Sequence, residues 1–161
     1  MASLDDLKKA RHVQGLVTIL EHPDGDIRAM AAMYIGDIAG PDTIEEIKKH
    51  AVKPLIKMLL RDSSIIATAN AARALARIKD KRAIFPLILC LGKTHHWHGV
   101  IREDASQALA EFRTPWAVIP LALGSVFYKD PRFKRPAKEA LRKILGYREK
   151  NAPDYSHDRR R

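Results

Sequence analysis

The residues with the strongest chemical character lie in Lys93-Thr94-His95-His96-Trp97-His98-Gly99, which holds three imidazoles within four positions. Imidazole is a good ligand for zinc, copper or nickel. A tight metal site also needs a fourth ligand and groups that orient the first set, and the neighbouring sequence supplies neither. The segment therefore reads as a polar contact loop, with His95, His96, Trp97 and His98 as candidate partner-binding residues. An aromatic side chain carried on a loop is a common interface centre; the other reading folds Trp97 over the protein's own edge. Glu103-Asp104 has the chemistry to hold a cation, but two acids in a helix's first turn are already accounted for by its dipole. Cys90, the single cysteine, sits in an apolar run and reads as a buried thiol in a reducing compartment. Phosphate-binding glycine loops, nucleophile elbows and paired cysteines are absent from the sequence. No catalytic residue, metal ligand or cofactor is assigned, and the chain is expected not to be an enzyme.

The basic residues form the second candidate set. Lys and Arg number 29 against 19 Asp and Glu in 161 residues, a net charge of +10 that favours acidic partners of any kind. From Lys129 onward twelve basic residues meet five acidic ones, so most of the excess lies at the C-terminal end. Lys134, Lys138 and Arg142 recur every four residues and make one helical stripe with Arg135 beside it, opposite Phe133, Ala137, Leu141 and Ile144. The tail beyond Gly146 loses this periodicity, and its Tyr155, Arg159, Arg160 and Arg161 are read as groups that order against a partner.

What must position these groups is a repeat. Val13-Gln14-Gly15-Leu16, Val52-Lys53-Pro54-Leu55, Ile84-Phe85-Pro86-Leu87 and Val118-Ile119-Pro120-Leu121 share a pattern, and their leucines are 39, 32 and 34 residues apart. About twenty residues after each comes a second motif that begins on Ala31, Ala71, Ala105 or Ala137 and carries an aliphatic residue four positions later. Helical spacing such as Leu55, Ile56, Leu59 and Leu60 makes each unit a pair of helices, with polar turns between them. Alanine suits the places where two helix backbones approach closely. The prolines either bend the first helices or start their regular part, because proline within a helix removes a backbone hydrogen bond. Ten residues lie between Gly40 and Ala51 where two lie between Asp80 and Ala83, and the extra ones are read as a two-turn extension of the following helix, with Asp42 and Thr43 as its cap candidates. At one register position stand Asp37, Arg77, Glu111 and Lys143, whose alternating sign lets neighbouring units pair. Asp24 and Arg28, four apart, suit capping and local pairing at a helix start.

The strings Asp80-Lys81-Arg82-Ala83-Ile84-Phe85-Pro86-Leu87-Ile88 and Ile27-Arg28-Ala29-Met30-Ala31-Ala32-Met33-Tyr34-Ile35-Gly36-Asp37-Ile38 resemble the two halves of the HEAT-like repeat of the phycobilisome-lyase type. The resemblance covers roughly residues 10 to 146. It implies an all-α fold, an α-α superhelix (HEAT-like solenoid) of about four helical hairpins whose second helices line a concave face. Members include scaffolds, regulatory subunits, bilin-attaching enzymes and a diiron hydroxylase, so it implies no single activity. The hydroxylase branch carries His-Glu pairs near the start of its second helices; the matching positions here are Ala29-Met30, Glu103-Asp104 and Arg135-Pro136.

The expected organisation is repeats at roughly 10–40, 41–80, 81–114 and 115–146, followed by a basic tail, 147–161. The expected function is a non-catalytic adaptor or accessory subunit within a larger complex. It would hold an acidic protein through the concave face and the last repeat, with Arg28, Arg73, Arg77 and Arg102 joining the residues above. Sequence-independent binding to a nucleic-acid backbone is the alternative, although Asp37, Glu111 and Glu139 interrupt the basic track. A lyase or metal-dependent enzyme subunit is the third. Asp5 and Asp6 stand where a signal peptide carries basic residues, so a cytoplasmic protein is expected. The longest apolar runs, each broken by proline, reach half the ~20 residues of a spanning helix, so no membrane insertion is expected. The sequence leaves the oligomeric state open.

Overall fold

Short turns and recurrent aliphatic residues lead to stacked helix pairs, and the computed structural model, which describes residues 3–91, 99–127 and 131–146, shows them. All regular structure among the described residues is helical. A first short helix, α1 (Leu4–Lys9), precedes the repeats. The first pair is α2 (Val13–Ile19) and α3 (Gly25–Asp37); an added helix, α4 (Ile44–His50), leads into α5 (Val52–Arg61) and α6 (Ile65–Ile78). The later pairs are α7 (Ile84–Leu91) with α8 (Gly99–Phe112) and α9 (Val118–Phe127) with α10 (Pro131–Leu145). Single 3-10 turns at Lys81–Ala83 and Pro115–Ala117 start the third and fourth units.

The repeated residues occupy the same place in every unit. Leu16, Leu55, Leu87 and Leu121 are completely buried, as are Ala31, Ala71, Ala105 and Ala137. Each leucine stabilises by about 1.5–3 kcal/mol through removal from water. The second helices pack directly on one another, α3 on α6, α6 on α8 and α8 on α10, more extensively than the first helices do. The alanines permit this approach, and Gly36 of α3 sharpens it: a Cβ there would stand 3.0 Å from the Cα of Ala74. Closer approach on one side curves the stack, so the second helices line its inner wall.

The prolines start the helices rather than bend them. Pro54, Pro86 and Pro120 are each the third residue of α5, α7 and α9. Amide hydrogens of a first turn have no partner within the helix, so proline there gives up nothing. Gly15 holds the same position in α2 and keeps its amide hydrogen, which His12 Nδ1 accepts at 2.9 Å. Helices end without glycine at three junctions: Arg11, Lys79 and Arg113 take left-handed φ values of 50°, 55° and 47°.

Two local expectations are corrected. The inserted residues form a separate helix, α4, broken from α5 at Ala51, rather than an extension of it. Thr43 lies in a helical conformation (φ −115°, ψ −14°) and gives no side-chain cap; its hydroxyl donates back to the Ile38 carbonyl. The break turns Ile47 into the core, where it is fully buried. Asp24 does cap α3, accepting from the Asp26 amide at 2.8 Å, but Arg28 does not pair with it. Arg28 reaches Asp62 in the next unit through two bonds of 2.7 and 2.8 Å. Cys90 is buried, its thiol 3.9 Å from the Leu59 carbonyl.

Candidate interaction surface

The inner wall of the last three units is a groove of about 450 Å³ whose lining includes Arg73 and Arg77 of α6, Asp104 and Glu111 of α8, and Glu139 and Lys143 of α10. Its charged residues sit where they do because the alanine face of each second helix is committed to its neighbour. The residues two and six positions after each alanine therefore face the groove.

These charges are joined across the stack. Arg73 Nε donates to Asp104 Oδ1 at 2.8 Å and Nη2 to Oδ2 at 3.3 Å. Lys143 reaches Glu111 at 2.9 Å, Arg77 reaches Asp37, and Lys8 reaches the same Asp37 at 2.8 Å. The alternation of Asp37, Arg77, Glu111 and Lys143 thus yields pairs between the first and second units and between the third and fourth. Lys8 with Arg77 holds Asp37 below the usual carboxylate range against partial burial, and Lys143 does the same for Glu111. Asp104 goes the other way: burial pushes it up despite Arg73. The basic partners keep their outer atoms in water, Arg73, Arg77 and Lys143 being 60, 58 and 54% exposed.

The other candidates separate into three groups. Lys134, Arg135, Lys138 and Arg142 run along α10, with Lys134 half-buried and the others exposed. They flank the groove rather than line it, since α10 contributes Pro136, Glu139, Ala140 and Lys143 there. Arg28 and Arg102 share one register, three residues before Ala31 and Ala105, and both are drawn inward. Arg102 is buried (4% exposed), and Arg28 is held by Asp62 and by the carbonyls of His22 and Pro23 at 2.7 and 2.8 Å. The Arg28 guanidinium is thus committed to one carboxylate and two carbonyls, which leaves it little to offer a partner. His95, His96, Trp97, His98, Tyr155, Arg159, Arg160 and Arg161 lie outside the described residues.

The motif reading missed Gln107 in the groove and the full engagement of Asp104. Register supplied a signal for Gln107, which stands two residues after Ala105 just as Arg73 stands two after Ala71, but none for Asp104, whose counterparts are Met30, Asn70 and Pro136. Among the described residues no three His, Cys, Asp or Glu side chains converge in a way that could hold a metal, and Glu103-Asp104 is no exception because Asp104 is spent on Arg73. No helix among them is long and apolar enough to cross a membrane.

The comparisons agree with this architecture. The fold is similar to the crystal structure of an engineered protein from the Northeast Structural Genomics Consortium, with a TM-score of 0.61 and 24% identity over 89% of this chain and 66% of that one. That likeness concerns the fold alone. No curated protein matches the chain in sequence. Residues 52–142 match a family model described as HEAT repeats. With the match spanning more than half its length, and with four stacked helix pairs of the corresponding form, the chain belongs to the HEAT-repeat family.

Proposed function

We propose that this protein is a non-catalytic adaptor or accessory subunit that holds an acidic protein partner along its second-helix wall and the basic flank of α10. The observation that carries this reading is the groove itself, in which exposed Arg73, Arg77 and Lys143 are fixed in place by carboxylates while their outer atoms stay in water. Side chains already ordered lose little entropy on binding. The row Arg135, Lys138 and Arg142 beside it adds the long-range attraction that brings an acidic surface to the groove.

A protein suits this wall better than a nucleic-acid backbone does. Asp37, Asp104, Glu111 and Glu139 stand among the cations, and each repels phosphate, whereas a protein surface can answer both signs. In this reading the work is done in the cytoplasm, within a larger complex, and without a cofactor.

The test is affinity purification of the full chain from its native source at mild salt, with and without nuclease, beside an Arg135→Glu/Lys138→Glu variant. The reading expects a stoichiometric protein companion that survives nuclease and is lost with the variant. Recovery that disappears with nuclease gives the surface to nucleic acid instead.

A further inference from the structure

The first helices change character along the stack. The residue before and the residue three after Gly15, Pro54, Pro86 and Pro120 are Gln14 and Thr18, Lys53 and Lys57, Phe85 and Leu89, then Ile119 and Leu123. The first two pairs are polar. The last two are apolar and face solvent, with Phe85 67%, Leu89 47%, Ile119 70% and Leu123 52% exposed. Two more residues extend the row, Trp116 at 80% and Val126 at 71%. On α9, Ile119, Leu123 and Val126 follow one another at intervals of four and three, the spacing of a seam that packs against another helix, and Trp116, in the 3-10 turn before α9, prolongs the row. Neither α7 nor α9 contains a charged residue. Helices apolar on every side are normally covered on every side. Leu87, Cys90 and Leu91 of α7 and Leu121 of α9 already fill the core, and α7 touches α9, so the remaining rows form one ridge opposite the groove.

We propose that this ridge is where two copies of the chain meet, α7 and α9 of one against α7 and α9 of the other about a two-fold axis. Three observations select a second copy. The six exposed side chains offer roughly 700 Å², close to the ~800 Å² per partner of a stable interface. A chain of net charge +10 repels its own copy, and a ridge without charged side chains is where that repulsion is least. The spacing along α9 fits a facing helix rather than a flat lipid surface. Such a dimer leaves both second-helix grooves open and pointing away from each other, so one assembly presents two docking walls.

Sedimentation of the full chain across the micromolar range tests this. The wild type is expected at twice the 18.2 kDa of one chain. Ile119→Glu/Leu123→Glu is expected at the mass of one chain with unchanged helical circular dichroism, while Gln14→Glu/Thr18→Glu, at the same register in the first unit, stays dimeric. Trp116→Glu, at the most exposed site, weakens the dimer about tenfold or more, and it decides the matter if the double variant loses helicity. A wild type that sediments as one chain overturns the proposal, and co-sedimentation of that single chain with phosphatidylcholine and phosphatidylglycerol vesicles would give the ridge to lipid. Dimers that persist in Trp116→Glu and the double variant, both folded, overturn it as well.

Discussion

Replacing Asp62 with alanine probes what holds the first two repeats in register. Asp62 is 6% exposed at its side chain and Arg28 15%, and two bonds of 2.7 and 2.8 Å join them. Asp62 Oδ1 also accepts from the Ser64 amide at 2.8 Å, at the turn that opens α6. The alanine variant leaves a largely desolvated guanidinium and one amide without acceptors. Removing one member of a buried pair costs about 3–5 kcal/mol. Arg28 keeps the His22 and Pro23 carbonyls and some contact with water, which places the loss at the low end, about 3 kcal/mol. Asp62→Asn preserves an acceptor but not the charge and should cost about 1.5 kcal/mol.

Urea unfolding followed by far-ultraviolet circular dichroism gives these values, and a cycle with Arg28→Met isolates the coupling. Because each repeat is held mainly by its neighbour, hydrogen exchange should show α2 and α3 losing protection before α6 and α8. Burial alone would raise the Asp62 carboxyl, but Arg28 and the Ser64 amide outweigh it and the group ends below its ordinary 3.8. Its stabilisation is therefore full above that value and disappears as pH falls through the lowered one. A loss under about 1 kcal/mol in Asp62→Ala, or strict additivity with Arg28→Met, would refute the claim that this junction is a buried, coupled pair.

Two further outcomes follow from the same geometry. Asp104 titrates above 3.8 because burial opposes its charge, so folding stability from this group falls as pH rises from about 4 through the raised value; the melting temperature of Asp104→Asn should gain on that of the wild type over this interval, and a constant gap would contradict the assignment. Gly36→Leu forces α3 away from the Ala74 backbone, 3.0 Å from where a Cβ would stand, and should destabilise by about 3 kcal/mol in a urea titration, whereas a neutral result would mean the two helices do not meet this closely.

The periodic part of the fold was legible because its cause is local and repeated. An alanine or leucine that recurs in register has one role in every unit, and all four copies of each are indeed buried. The proline ambiguity closed only once the helix starts were fixed, since the same residue bends a helix interior and suits its first turn. Breaking α4 from α5 was not legible either: Thr43 has a capping residue's chemistry, and only its conformation and bond to Ile38 decide otherwise. The candidate site was legible by residue type but not by role. Arg28, Arg73, Arg77 and Arg102 are alike in the sequence, yet one is clamped at a repeat junction, two line a groove and one is buried.

Composition and period thus determined by themselves that the chain is a stack of helix pairs with an aliphatic interior, because burial at a helical spacing needs no knowledge of distant residues. Tertiary structure alone decided which cations pair across repeats yet stay exposed in a groove, as Arg73 does, and which pair while withdrawn from water, as Arg28 does. That choice depends on where carboxylates such as Asp62 and Asp104, some thirty residues away in the sequence, come to rest once neighbouring units stack.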